Sequence, residues 1–409
     1  MSSGENGVKT AFYGRELELD ILRGYITQGK SVYISGIRRI GKTSLMREVK
    51  NVLESNNQCF FYDFGGNTSP ADWIRELNEE NEGTINKLLK NIDEAITKYG
   101  VKKDLPPLSM LIKGSDWKEM GNNLFKKLHN SCPDGEKIVI FIDELAIMIQ
   151  SMQKKQFERK KEIEVSPYVK DQDEVEEFIN WFASIQRKFG DKISFVMANS
   201  VSLDRLLKLL NLGNALKNFE PFPLRAWKRE TAKGFIAAKA SENAIEISDE
   251  AAEEMLKMLG DTHIPQYIDS SFNDVRYWLR MENKTSCQIG DLQDIFRKQM
   301  LHGWMRITRD TTQKSLKDSM LEHEYFLARR ILSKLAHKED KLITIAEVRG
   351  IIFEKEATAM KDKISEESIE NVLAVLEEEE GCIIKKEGED IYRFRSPFMY
   401  DMWRNIRGH

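Results

Sequence analysis

The sequence predicts an α/β fold, a parallel sheet covered on both faces by helices, followed by an all-α region and a C-terminal module of three helices and a hairpin. Three observations predict it. Short β-favouring runs alternate with stretches of helical apolar spacing over the first 224 residues. One of those runs leads into Gly36-Ile37-Arg38-Arg39-Ile40-Gly41-Lys42-Thr43, a G-x-x-x-x-G-K-[ST] pattern that opens a helical segment. After Phe222-Pro223-Leu224 the β-favouring runs thin out and helical spacing dominates.

In chain order, residues 2–7 are polar and expected to fray, and Arg15 to Tyr25 has helical spacing. Ser31-Val32-Tyr33-Ile34-Ser35 reads as a buried parallel strand, and Thr43 to Leu53 as a helix carrying Leu45, Met46, Val49 and Leu53 on one face. Between them, Gly36 and Gly41 allow the tight turn that points successive N–H groups at phosphate oxygens. In such a loop Lys42 reaches the β- and γ-phosphates, the Thr43 hydroxyl holds Mg²⁺, and the helix N-terminus adds its dipole. The ligand expected is therefore a nucleoside triphosphate with Mg²⁺.

Cys59 to Phe64 reads as a second strand, and residues 66–130 as polar and helical, with no role legible. Lys137 to Ile142 is a third strand, ending in Asp143-Glu144 about a hundred residues after the loop. In phosphate-loop enzymes such a strand delivers an Asp to the metal and a Glu that polarises the attacking water, the roles expected of Asp143 and Glu144. Residues 151–177 carry a basic run from Lys154 to Lys161 and then an acidic run, read as a solvated loop in preference to a binding patch. A fourth strand, Ile193 to Ala198, ends in Asn199-Ser200, where a polar side chain can hydrogen-bond the γ-phosphate or its water; an ordinary strand-ending turn is the alternative. These polar features all fall at carboxyl ends of strands, where parallel α/β sheets bind ligands.

Residues 228–303 read as a small helical lid interrupted at 260–265, and the polar stretch 307–320 as a linker. Helical patterns at 324–337, 344–355 and 366–379, then a hairpin from Cys382–Lys385 and Ile391–Arg395, describe a winged helix. The domains expected are a core over 1–224, a lid over 225–306, a linker over 307–320 and a winged-helix domain over 321–409.

Composition sets the bounds. The chain has 409 residues, 41% of them hydrophobic, which supports two or three domains. With 62 basic and 66 acidic side chains the formal charge is -4, unlike an obligate nucleic-acid binder. Four scattered cysteines without a C-x-x-C pair fit a reducing compartment, and no apolar stretch near 18 residues or signal-like N-terminus is present; a cytoplasmic location is expected.

Three blocks resemble a known family. Phe12-Tyr13-Gly14-Arg15-Glu16-Leu17, the loop continued through Ser44-Leu45, and Ile142-Asp143-Glu144-Leu145 with Ala198-Asn199-Ser200 are similar to the AAA+-like prokaryotic STAND ATPases, including the group called archaeal ATPases. The C-terminal Tyr392 to Met399 looks like their wing and closing segment. The resemblance implies a P-loop NTPase core and an ATP-dependent switch: a closed ADP-bound monomer, an ATP-bound form that oligomerises, and control of a partner, as in bacterial defence or mobile-element systems. It also implies loop contacts from Gly36 through Ser44, Ile40 included, and adenine-side contacts from Gly14, Arg15 and Pro265. The family's sensor strand usually ends in Gly-Ser, so here either Asn199 or Ser200 takes that place. Arg205 is the positional candidate for an arginine finger, and Arg38 and Arg39 act either in cis or across an interface.

Two functions stay open: a slowly hydrolysing regulatory ATPase that self-associates or grips a protein, and a DNA-binding ATPase of the origin-recognition or transposition-helper type. The expected recognition helix, Ser365 to Glu380, has seven glutamates and no Lys or Arg, which disfavours entry into a groove lined by phosphates, although Lys385, Lys386, Arg393 and Arg395 on the wing remain available.

Overall fold

The computed structural model describes residues 12–66, 69–77, 117–152, 174–200, 202–210, 212–260, 262–353, 364–385 and 390–404. Most of the 66–130 elaboration and, of the 151–177 charge runs, the whole basic run with Asp171 and Asp173 therefore lie outside the described residues, as does Lys386, whereas Glu174, Glu176 and Glu177 open a helix. The chain forms two compact units. A sheet unit comprises 17–35 and 43–222; a helical unit comprises 1–16, 36–42 and 223–409.

In the sheet unit, strands β1 (Ser31–Ser35), β2 (Gln58–Asp63), β3 (Ile138–Asp143), β4 (Ile193–Ala198) and β5 (Phe219–Pro223) lie in the order β2-β3-β4-β1-β5. β2 with β3, β3 with β4, and β1 with β4 pair in parallel. Every residue of β3 and β4 is buried, which is why both read as unbroken apolar runs: helices cover the sheet on both faces. The register sets Asp143 level with Asp63 on one side and Ala198 on the other, so the acidic end of β3 and the polar end of β4 finish at the same height.

Helices α1 (Glu16–Thr27), α2 (Lys42–Leu53), α3 (Trp117–Ser131), α4 (Glu174–Phe189) and α5 (Leu203–Leu209) connect the strands. The core is strongly aromatic. Trp73 is fully buried, and Phe64, Phe125, Phe178, Trp181 and Phe182 surround it with ring centroids 5.2–6.2 Å away. α3 approaches α4 closely at Gly121, where an added Cβ would lie 2.3 Å from Trp181 Cζ2. Only a glycine leaves room for that indole.

The helical unit continues with α6 (Arg229–Glu242), α7 (Asp249–Leu259), α8 (Pro265–Met281) and α9 (Ile289–Ile295), with two-residue strands β6 (Glu246–Ile247) and β7 (Ser286–Cys287) pairing between them. Ser248 caps α7 by accepting from the Ala251 amide, and Pro265 occupies the first position of α8, where its missing N–H costs nothing.

The stretch read as a linker is instead helix: α10 runs from Trp304 to Ser319 and buries Met305, Thr308, Thr312 and Leu316. Those positions follow a three-to-four-residue rhythm, but two of them are threonines, so the apolar stripe was not visible. The remaining elements are α11 (Glu322–His337), β8 (Ile343–Thr344), α12 (Ile345–Gly350), α13 (Glu366–Ala374, with a π-helical turn to Glu379), β9 (Ile383–Lys385), β10 (Ile391–Phe394) and α14 (Pro397–Arg404). β10 pairs antiparallel with both β8 and β9, so a third short strand joins the expected hairpin.

Candidate nucleotide site

In the helical unit the phosphate-loop residues 36–42 are held by their own chemistry. Gly36 has φ 145° and Gly41 φ 99°; a Cβ on Gly36 would lie 2.6 Å from the Leu224 carbonyl oxygen, whereas the space at Gly41 is open and only its conformation demands glycine. Arg39 adopts φ 66°, a left-handed conformation that costs a non-glycine residue about 1–2 kcal/mol. Its guanidinium sits 6.0 Å from the centre of the Tyr267 ring, while its Nη1 is buried with no hydrogen-bond acceptor among the described residues. Ile40 is buried and anchors the turn. Its carbonyl accepts from Arg15 Nη2 at 3.2 Å, and the same nitrogen donates to the Arg225 carbonyl at 2.6 Å.

Arg15 is thus a buried brace that ties the chain's start to the loop. Gly14, one residue earlier, has φ 65° and lies against Trp227 and Thr231, in a cluster where Tyr13, Trp227 and Phe235 meet edge-on or tilted. Pro265 begins α8; no contact joins it to the loop among those described.

Lys42 folds back on the loop, its Nζ donating to the Gly36 carbonyl at 2.6 Å and the Ile37 carbonyl at 3.1 Å. The first turn of α2, which Lys42 opens, contains no acidic residue, so its positive dipole end is not offset from within. Arg38 Nη1 donates to Glu380 Oε1 at 3.1 Å. Glu380 closes the acidic segment 365–380 read as a recognition helix that phosphates would repel; it is buried, and Ser315 of α10 donates to the same oxygen at 2.6 Å. Sequence reasoning missed this pair because nothing local marks a contact across 342 positions. The one hint was Gly381, which ends the run of four glutamates in a left-handed turn, φ 64°.

In the sheet unit Thr43 and Asp143 meet: Thr43 Oγ1 donates to Asp143 Oδ2 at 2.6 Å, with Asp143 buried at the end of β3 and Thr43 and Ser44 exposed at the start of α2. Glu144 leaves the strand with φ 63°, its amide held by the Ala198 carbonyl. Its Oε2 accepts from both the amide (2.9 Å) and the hydroxyl (2.7 Å) of Ser200. Asn199 is buried and turned differently: Oδ1 accepts from the Ala146 amide at 2.7 Å, capping the helix at 145–152, while Nδ2 has no partner among the described residues. Arg205 lies half-buried in the first turn of α5, its amide capped by Ser202. Burial raises the thiols of Cys59 and Cys287 to about 12 and pushes up those of Cys132 and Cys382, so none is a nucleophile near neutral pH.

A family model described as an ATPase domain predominantly from Archaea matches residues 12–269. The chain belongs to this ATPase family. An uncharacterised ATP-binding protein, MJECL26 of Methanocaldococcus jannaschii, is 22% identical over 356 residues, covering 84% of this chain and 88% of the relative. Among solved structures, the Walker-type ATPase PABY2304 of Pyrococcus abyssi is similar with TM-score 0.62 at 15% identity, over 96% of both chains. The ORC2 protein of Aeropyrum pernix is similar with TM-score 0.51 at 13% identity, over 98% of this chain and 96% of that one. At such identities the structural likeness speaks for the fold. The chain is an archaeal-type P-loop ATPase, and the family span takes in every residue proposed for the site while ending before Ser315 and Glu380. Among the described residues no helix is long and apolar enough to cross a membrane.

Proposed function

We propose that the chain is a regulatory ATPase of the STAND type, which binds ATP with Mg²⁺, hydrolyses it slowly, and uses the difference between its nucleotide states to control a protein partner or its own assembly. The observation that carries the reading is the pair of bonds that Ser200 makes to Glu144, joining the water-activating carboxylate to the sensor position.

The residues fit the ligand. Arg39 brings a buried guanidinium N–H without an acceptor into a loop where a Cβ at Gly36 would strike backbone, as expected of a cradle for close-lying phosphate oxygens. Thr43 and Asp143 would hold Mg²⁺; their two oxygens suit a cation that keeps several waters and takes the rest of its shell from phosphates. When bound, Mg²⁺ supplies charge neutralisation at the phosphates.

The chain's own groups do the rest. Loop amides and Lys42 bind phosphate, Lys42 exchanging the Gly36 and Ile37 carbonyls for phosphate oxygens. Glu144 takes the proton of the attacking water once its Oε2 exchanges Ser200 for that water, and Ser200, released, can donate to the γ-phosphate. A base held by a neighbour until the ligand draws that neighbour away suits slow turnover. Asn199, its oxygen committed to a helix cap, keeps only Nδ2 for this task. The remaining role expected at the site, an arginine finger at Arg205, is retained as part of the proposal for an assembled form.

The module at 322–404 is read as a winged helix that meets protein. Its α13 carries Glu366, Glu367 and Glu370, continued by Glu377 and Glu378, and of the wing cations Arg395 is committed to backbone carbonyls. Both weigh against the DNA-binding alternative.

In the test, Glu144→Gln keeps ATP affinity while hydrolysis falls by about 10²- to 10⁴-fold in single-turnover measurements. Unchanged hydrolysis would remove Glu144 from the reaction.

A further inference from the structure

The family span ends at residue 269, yet one acidic partner of the phosphate loop, Glu380, lies more than a hundred residues beyond it. Glu380 is 2% exposed in its side chain, which is rare for a carboxylate without charge or hydrogen-bond partners. Here Arg38 and Ser315 meet the same oxygen, Oε1. The segment that presents Glu380 is braced. Arg395, itself largely buried, donates to the carbonyls of Glu377 (2.9 Å), Gly381 (3.1 Å) and Ile383 (3.2 Å), joining the end of the π-helical turn to the start of β9. Gly381 rests on the loop as well: a Cβ there would lie 3.2 Å from Ile37 Cδ1. One rigid turn thus sets a carboxylate and a backbone surface against two successive loop residues, Ile37 and Arg38.

A loop of this pattern binds a polyanion, and a guanidinium prefers phosphate in a two-pronged geometry. Triphosphate charge on the loop competes with Glu380 for Arg38 and repels the carboxylate itself. We propose that Glu380 is an internal carboxylate competitor of the nucleotide. It sets ATP affinity through Arg38 and passes nucleotide occupancy to the C-terminal module, by releasing the turn at 377–383 when phosphate takes Arg38. The inference rests on the reading of residues 36–43 as the ATP site. The coupling is reciprocal: a contact that ATP weakens is one that weakens ATP binding. Glu380 is a positioning residue, acting on the ligand through Arg38.

The experiment uses the full chain, with fluorescent ATP and Mg²⁺ as the probe, in a double-mutant cycle. Glu380→Gln keeps shape and hydrogen-bonding capacity and removes the charge. It should tighten ATP binding by about 5- to 150-fold, the range of ordinary coupling between sites. In an Arg38→Ala background the same change should have no effect, an outcome that a merely structural role for Glu380 would not give. Should Glu380→Gln fail to fold, Ser315→Ala serves in its place, removing one donor to Oε1, with tightening in the same direction expected.

Hydrogen exchange supplies the independent readout. Amides at 377–383 should lose protection when ATP is added to the wild type, and be as unprotected in nucleotide-free Glu380→Gln. Unchanged or weaker ATP binding in Glu380→Gln, an equal effect with and without Arg38, or unchanged protection on adding ATP would each overturn the proposal. Lys42→Ala separates the two levels. If it retains full ATP affinity the site reading fails; if it loses affinity while Glu380→Gln changes nothing, only the coupling fails.

Discussion

Single residues already show which parts of the site the pattern of the sequence could reveal. The pattern at Gly36, Gly41, Lys42 and Thr43 stood out in the sequence because a phosphate-binding loop would fix both residue type and spacing, and Thr43 and Asp143 do meet, 100 positions apart, at 2.6 Å. Asn199 and Ser200 were indistinguishable in sequence, since both are small and polar at a strand end. Geometry separates them: one caps a helix through its oxygen and the other holds Glu144. Glu347 shows the same limit for electrostatics. It completes a capping box with Thr344 at the start of α12 and accepts from Lys338 at 2.6 Å. The Lys338 ammonium above all, with the Thr344 amide and hydroxyl, holds its carboxyl down at about 2. A depressed carboxylate contributes stability that is complete above its unfolded pKa of about 4.3 and fades as pH falls toward 2. The wild type should therefore lose its stability advantage over Glu347→Gln between pH 5 and 2.5, read from urea midpoints. A constant difference across that range would show that the ion pair contributes nothing. The pair is largely exposed, so the effect expected is small.

Among the elements, strands at the sheet centre were the most legible. An unbroken apolar run such as Ile138–Ile142 has few alternatives when it ends in two carboxylates, and burial on both faces explains the run. α10 was the least legible. Its polar surface suggested a linker, but Thr308, Thr312 and Leu316 form the buried stripe, and burial of a threonine depends on partners that the local pattern does not contain. Helix contacts in the aromatic core give a direct test of packing. Gly121→Ala puts a methyl group 2.3 Å from Trp181 Cζ2 and 3.2 Å from Ile74 Cδ1, and either α3 or the indole must shift. The cost expected is about 1–3 kcal/mol, despite alanine's better helix propensity. Thermal unfolding measures it; a gain in stability would mean that the two helices are free to part.

For the whole molecule, the family match and the geometry divide the chain at different places. The match covers 12–269, whereas residues 36–42 form one compact unit with 223–409. The phosphate loop of this ATPase is therefore packed with C-terminal structure that lies outside the family span, and Arg38, Glu380 and Ser315 are the polar expression of that packing. Alternation of strands and helices predicted the α/β architecture because each element's burial is written in its own periodicity. The contact between Arg38 and Glu380 was not legible, because a charged residue at a helix end looks alike whether it meets water or a buried guanidinium. All the functional readings share one requirement, that ATP binds at the loop through Lys42. Calorimetric titration of ATP with Mg²⁺ into the full chain tests it most directly: the account predicts saturable binding in the wild type and its loss in a folded Lys42→Ala variant, and equal affinity in the two would contradict it.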